Sequence, residues 1–226
     1  WSTEAFETLK PKLLARDLSA RGPDIVFIVN DWIGELVEGE IIESLSPPGQ
    51  SMLEQSLEAL TYEGELYGLP LSFNVIALVC NGALVKTPPA NFVELIALGR
   101  RLNATKGIVP LLYDNRNFYY HAPFFFGYGA SLFDRDGKCV VDSRESIASV
   151  EFSMGLERDG IVAPRANHSA VLNLFCSGRV AMVITGPWDL ERMKSCGIDV
   201  KVAPIPRLAR GELARPFLGV KAIALT

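Results

Sequence analysis

The residues of this chain best able to do chemistry are aromatic rings and a few polar side chains at the ends of elements. Val180 to Thr185 is a β-branched, apolar run that reads as a short strand, and Gly186 punctuates its end. Pro187 then suits the first position of a helix, because its fixed φ is helical and its missing N–H would have had no intrahelical partner there. Asp189 and Glu191 follow in the first turn, where the helix dipole favours carboxylates. Trp188 is thereby placed at a strand-to-helix corner, where open α/β sheets bind ligands. Tyr119, Tyr120 and Trp32 also lie beside polar or turn residues at element ends. A flat apolar face with a polar edge suits a pyranose, whose C–H face stacks on a ring while its hydroxyls seek carboxylates and amides. Asp31, Asn74 and Asn117 are candidates for those polar partners. Plain packing is the competing reading for each ring taken singly.

Asp31 directly follows the apolar run Ile25 to Val29 and so projects from the carboxyl end of a strand. Two roles stay open for it, a ligand in a cleft and a cap for the helical stretch from Ile33 onward. Phe124, Phe125 and Phe126 read as core, while Asp134 and Asp136 sit in a glycine-containing turn and read as local backbone caps.

Catalytic signatures are missing: the chain has no GxSxG elbow, Walker loop, GxGxxG, HExxH or DFG. Gly127-x-Gly129 lies in an aromatic stretch and reads as a packing or turn feature. Any Ser-His-Asp triad would have to use one of the two histidines, His121 or His168, each of which reads first as a surface or hydrogen-bonded residue. Cys80, Cys139, Cys176 and Cys196 show neither CxxC spacing nor clustering with histidine, so no metal and no cofactor is expected. Buried or incidental thiols are the first reading for the four; a disulfide is the second, and sequence cannot choose among the pairings.

These features must be positioned by a chain of 226 residues, 49% of them hydrophobic, enough for one large domain or two small ones. A net charge of -4 with scattered Lys and Arg argues against nucleic-acid or anionic membrane surfaces. No apolar run approaches the ~20 residues needed to span a bilayer, and no signal-peptide pattern follows Trp1, so a processed, trimmed or excerpted soluble chain is expected. The periodicity predicts a helix over 6–18 broken at Pro11, and a strand over 25–29 central to a covered parallel sheet. Helices over 33–45 and 51–60 follow, then a hairpin turning on Glu63-Gly64. Leu69 to Cys80 is a long apolar segment that Ser72 and Asn74 interrupt where a crossing between lobes would fall. Helices over 91–102 and 143–157, one within the aromatic-rich stretch 118–133 and one ending over 171–176 alternate with strands over 108–113, 180–185, 200–203 and 218–225, which gives α/β architecture.

Five stretches taken together resemble the extracellular solute-binding proteins of sugar ABC transporters, the maltose-binding protein family. They are GPDIVFIVNDWIG (22–34), YEGELYGLPLSFNVIALVCN (62–81), TPPANFVEL (87–95), FCSGRVAMVITGPW (175–188) and RPFLGVKAIAL (215–225), in family order over nearly the whole chain. The resemblance implies a two-lobed periplasmic-binding-protein-like fold with a cleft between lobes. It puts the first lobe at 1–73 with a return at 218–226, and the second at 74–217. It further implies that the fold is incomplete at both ends, lacking an N-terminal strand and helix and the C-terminal helices. By the same matching Trp188 stacks on sugar, Asp31 binds its hydroxyls and Tyr119 is a second stacking ring. Trp32, Asn74 and Asn117 complete the candidate set, and they mark departures from maltodextrin binders: Trp32 follows Asp31 where those carry an aromatic earlier, and the asparagines stand in place of acids. The implied function is non-catalytic delivery of a carbohydrate to an ABC permease, in the periplasm or outside the cell. Rival readings are a non-sugar solute such as a polyamine or phosphorylated polyol, a regulatory or interaction module with the same fold, and, third, an enzyme.

Overall fold

A computed structural model describes residues 6–15, 22–49, 52–209 and 211–226, and among these the strands form a three-stranded sheet, a two-stranded hairpin and a four-stranded sheet. Two compact units result, Trp1–Asn74 with Leu218–Thr226, and Val75–Phe217. Asn74 closes the last strand of the first unit before the chain leaves it.

The first unit contains α1 (Phe6–Leu14), β1 (Ile25–Val29), α2 (Ile33–Glu38), α3 (Glu54–Glu58), β2 (Thr61–Tyr62), β3 (Glu65–Leu66), β4 (Leu69–Asn74) and the final strand β9 (Gly219–Leu225). Strand β9 lies between β1 and β4 and is antiparallel to both. Its inward residues Val220, Ala222 and Ala224 pack with Val26, Ile28, Trp32 and Leu36 into the unit's core. The expectation of a central, covered parallel strand at 25–29 is therefore corrected. Among the described residues strand β1 is at the edge of an antiparallel sheet, and its alternate residues Ile25 and Phe27 are 56% and 54% exposed. A continuous apolar run does not reveal whether one or both of its faces will be covered.

Helix α1 runs through Pro11, which removes one backbone hydrogen bond without ending the helix, and the rest of the expected 6–18 span meets residues 16–21, outside those described. Helix α2 stops at Gly39, and Glu40 takes the left-handed region at φ 52°, so the helix expected over 33–45 is cut to six residues. The Glu63-Gly64 turn joins β2 to β3, with φ of 50° and 88°, the positive values a two-residue hairpin needs.

In the second unit β5 (Ala77–Asn81), β6 (Val109–Leu112), β7 (Val180–Thr185) and β8 (Val200–Ala203) form a mixed sheet in the order β6-β7-β5-β8, parallel only between β6 and β7. Every residue of β7 is buried. One face of the sheet packs on Phe92, Leu95 and Phe124 from α4 (Phe92–Lys106) and α5 (Phe118–Gly127), with α6 (Arg144–Arg158) contributing Leu156. The other face packs on Leu172, Phe175 and Met193 from α7 (His168–Cys176) and α8 (Leu190–Ser195). Side chains of Asn91, Asn117, Ser143 and Asn167 accept the first-turn N–H groups of α4 to α7, each satisfying a donor that lacks a partner within its helix. A Cβ on Gly127 would crowd Leu208 and the Leu213 carbonyl, and Gly129 turns at φ 87°, so both glycines serve packing and turning.

Helices α7 and α8 lie against the same side of β7, which brings the Cα atoms of Cys176 and Cys196 to 5.4 Å, and these residues form a disulfide. The reading of all four cysteines as thiols is thus corrected for this pair. Cys80 is a buried thiol and Cys139 an exposed one.

Candidate functional site

Strand β7 runs directly into a 3-10 turn, Pro187–Asp189, which leads into α8. The proline occupies the first position of that turn, and the ring of Trp188 is left 48% exposed. The indole folds back over Gly186, where a Cβ would overlap its six-membered ring. Tyr119, in the first turn of α5, lies with its centroid 6.2 Å from Trp188 and tilted by 47°. Phe217 stacks on Tyr119 at 6.0 Å and 14°, and Phe118, 41% exposed, meets Phe217 edge-on at 6.1 Å. The second unit thus presents an aromatic face of which Trp188 and Tyr119 are parts. Asn117 caps α5 through Oδ1, which accepts from the Tyr119 N–H at 3.0 Å, so its acceptor is committed to setting the start of the helix that carries Tyr119.

Behind the rings lies a polar chain. The Tyr120 hydroxyl is 3.2 Å from His168 Nδ1, and His168 Nε2 is 3.3 Å from Asp189 Oδ1. Asp189 is buried, and its Oδ2 accepts from the Thr185 hydroxyl. An ionised carboxylate can only accept, so in the neutral imidazole the Nε2 position of His168 carries the proton and Nδ1 accepts from the Tyr120 hydroxyl. Burial pushes the Tyr120 phenol up to about 12, with the nearby Asp189 charge adding to the shift and the Thr185 hydroxyl opposing it. Tyr120 is therefore a neutral donor throughout the physiological range.

In the first unit Asp31 is exposed in the 3-10 turn Asn30–Trp32 that follows β1. Of its two open roles, capping is not the one adopted, because the N-cap position of α2 is Trp32 and no side chain bonds there. Asn30 supports the turn instead, its Oδ1 accepting from the Val220 N–H of β9 at 2.9 Å. Trp32 was expected to offer a ring face, but it is only 5% exposed and packs with Ile33 and Leu36. The turn rotates it onto the apolar side of α2, which corrects its place in the candidate set. Asn74 pairs with Gly219 at the end of the sheet, and its Oδ1 is buried without a hydrogen-bond partner among the described residues.

The two histidines divide the parts a triad would need. His121 lies between α5 and α6 with Nε2 3.1 Å from Ser149 Oγ and Nδ1 3.2 Å from Ser153 Oγ, and burial lowers its pKa. His168 faces an acid and a phenol. Among the described residues no group of three His, Cys, Asp or Glu side chains is arranged to hold a metal ion, and no helix is long and apolar enough to cross a membrane. Phe217 is not singled out by the sequence pattern, and Asp189 reads there only as a first-turn carboxylate favoured by the helix dipole. The polar Thr185 closing an otherwise apolar β7 held the available signal, since a residue four positions later on a tight turn comes back beside that strand's end.

Two α/β units and an aromatic corner of this kind define a class, that of the extracellular binding proteins. The family described as bacterial extracellular solute-binding protein matches residues 1–226, and the chain belongs to it. It is 28% identical over 222 residues to the maltotriose-binding protein of Pyrococcus abyssi (strain GE5 / Orsay), covering 91% of this chain and 47% of that protein. It is 26% identical over 220 residues to the maltodextrin-binding protein MdxE of Bacillus subtilis (strain 168), covering 90% of this chain and 52% of that protein. The crystal structure of a cyclo/maltodextrin-binding protein complexed with maltotetraose matches with a TM-score of 0.88 and 29% identity, over 99% of this chain and 60% of that one. The chain therefore spans about half the length of the curated relatives it matches.

Proposed function

We propose that the protein binds an oligosaccharide and hands it unchanged to the permease of an ABC transporter, outside the cytoplasm. The observation that carries this reading is Trp188, a half-exposed indole held flat against Gly186 beside Tyr119, in a chain related to maltotriose- and maltodextrin-binding proteins. An exposed ring of that size, held in place by its own backbone, offers apolar area to a sugar face at little ordering cost. Asp31 supplies an exposed carboxylate and Asn74 an unsatisfied amide oxygen, both acceptors of the kind sugar hydroxyls satisfy. The disulfide between Cys176 and Cys196 supports an oxidising compartment. Carriage without catalysis is supported by the family.

The test is a thermal-shift panel that includes maltotriose, maltotetraose and galactooligosaccharides, run on the full protein. A stabilising saccharide is expected, with its affinity reduced about tenfold or more in Trp188→Ala, the loss of one large buried apolar contact. No stabilisation by any saccharide, or an undiminished response in Trp188→Ala, would count against the reading. Release of reducing ends from the bound sugar would overturn the non-catalytic part.

A further inference from the structure

Half-exposed Trp188 and partly buried Tyr119 are each followed in the chain by a buried residue with a polar group, Asp189 and Tyr120 respectively. One imidazole joins those two followers. His168 lies 3.2 Å from the Tyr120 hydroxyl through Nδ1 and 3.3 Å from Asp189 Oδ1 through Nε2, and its ring sits 6.0 Å from that of Tyr120. Its own backbone is fixed as well, because the His168 N–H donates to Asp114 Oδ2 at 3.2 Å. Resting on the functional reading above, we propose that His168 is a positioning residue that sets the mutual placement of Trp188 and Tyr119 from behind, and through it the fit of a sugar ring.

The packing of the neighbouring helices supports the assignment. Helices α7 and α8 are tied at their far ends by the disulfide, and midway by Arg192, whose Nη2 donates to Asn173 Oδ1 at 2.8 Å. Those two ties fix the helices to each other but reach neither ring. The His168 contacts extend from α7 to both the corner carrying Trp188 and the helix carrying Tyr119. The rings are 6.2 Å apart and inclined at 47°, which leaves them outside close face-to-face contact, so their angle depends on what holds their backbones. Asp189 is doubly held, by His168 and by Thr185, so loss of the imidazole leaves a buried carboxylate half-satisfied and frees the turn.

Two variants of the full protein test this, Tyr120→Phe, which deletes one hydroxyl and keeps the ring, and His168→Ala. The readouts are the Kd for maltotriose and the emission anisotropy of Trp188, taken as the difference from matching Trp188→Phe proteins. Each variant is expected to weaken maltotriose binding about three- to tenfold, the range for one lost hydrogen bond, and to lower the Trp188 anisotropy. A purely structural role would lower the melting temperature and leave the anisotropy of the folded protein unchanged. Unaltered affinity or unaltered anisotropy in both variants overturns the proposal. If the unmodified protein does not bind maltotriose, the sugar reading is what suffers, and the anisotropy alone decides whether His168 holds the ring.

Discussion

The six-membered ring of Trp188 covers the Cα of Gly186 so closely that no β-carbon could be accommodated between them. The backbone of Gly186, at φ -100° and ψ 177°, is open to any residue, so glycine is required there for space and not for conformation. Gly-Pro-Trp is accordingly one device. The glycine clears a seat, the proline starts the turn and the indole lies flat with its outer face exposed.

Gly186→Ala is therefore expected to move the indole without unfolding the strand that precedes it. Saccharide affinity should fall about three- to tenfold, the loss of one well-placed aromatic contact, with the emission maximum of Trp188 shifted and the melting temperature changed by a few degrees at most. Calorimetry alongside a fluorescence spectrum checks both. Unchanged affinity would show that the ring can be displaced at no cost, so that its seat on Gly186 does not matter to binding.

Much of this corner was legible because its signals are local. Glycine, proline and an acidic first turn after a β-branched run specify a strand-to-helix corner, and the Glu63-Gly64 hairpin is equally short-range. What could not be read depends on distant packing. Trp32 adjoins the exposed Asp31, yet it shares the apolar side of its helix with Ile33 and Leu36 and turns inward. Cys176 and Cys196, like His168 and Asp189, meet only because α7 and α8 lie side by side on β7. Strand β1 carries the apolar run of a doubly covered strand while standing, among the described residues, at a sheet edge, and nothing within its five residues distinguishes the two cases.

The thiols should be distinguishable by alkylation. Burial pushes Cys80 up to about 12, so in the native state it has neither access nor thiolate character, whereas Cys139 is exposed. Iodoacetamide at pH 8 is expected to label Cys139 alone, then Cys80 after denaturation, and Cys176 and Cys196 only after reduction. Peptide mass spectrometry reads each stage. Labelling of Cys176 or Cys196 without a reductant would contradict the disulfide.

The same disulfide closes a loop with a sequence separation of 20 residues, which encloses β7 and the Trp188 corner. Chain-entropy reasoning gives such a crosslink about 3 kcal/mol of stabilisation. Reduction, or Cys176→Ser with Cys196→Ser, should lower the urea midpoint of the transition that reports the second unit. A midpoint insensitive to reductant would mean that α7 and α8 are held by packing alone.

His121 gives the fold an acid-side dependence whose sign follows from its burial. Desolvation lowers its pKa from the ordinary 6.5, so the unfolded chain takes up a proton at a pH where the folded one does not. Stability should therefore rise with pH through the window just below 6.5 and fall as the solution is acidified through it, since protonation favours the unfolded side. Ser149 and Ser153 can satisfy a neutral imidazole from both sides, but neither brings a charge to stabilise an imidazolium. His121→Gln keeps hydrogen-bonding capacity and removes the titration. Urea midpoints measured at pH 5.0 and 7.5 are expected to converge in that variant relative to the parent, at some cost in packing at both pH values. An equal acid-side decline in parent and variant would assign the dependence to other groups.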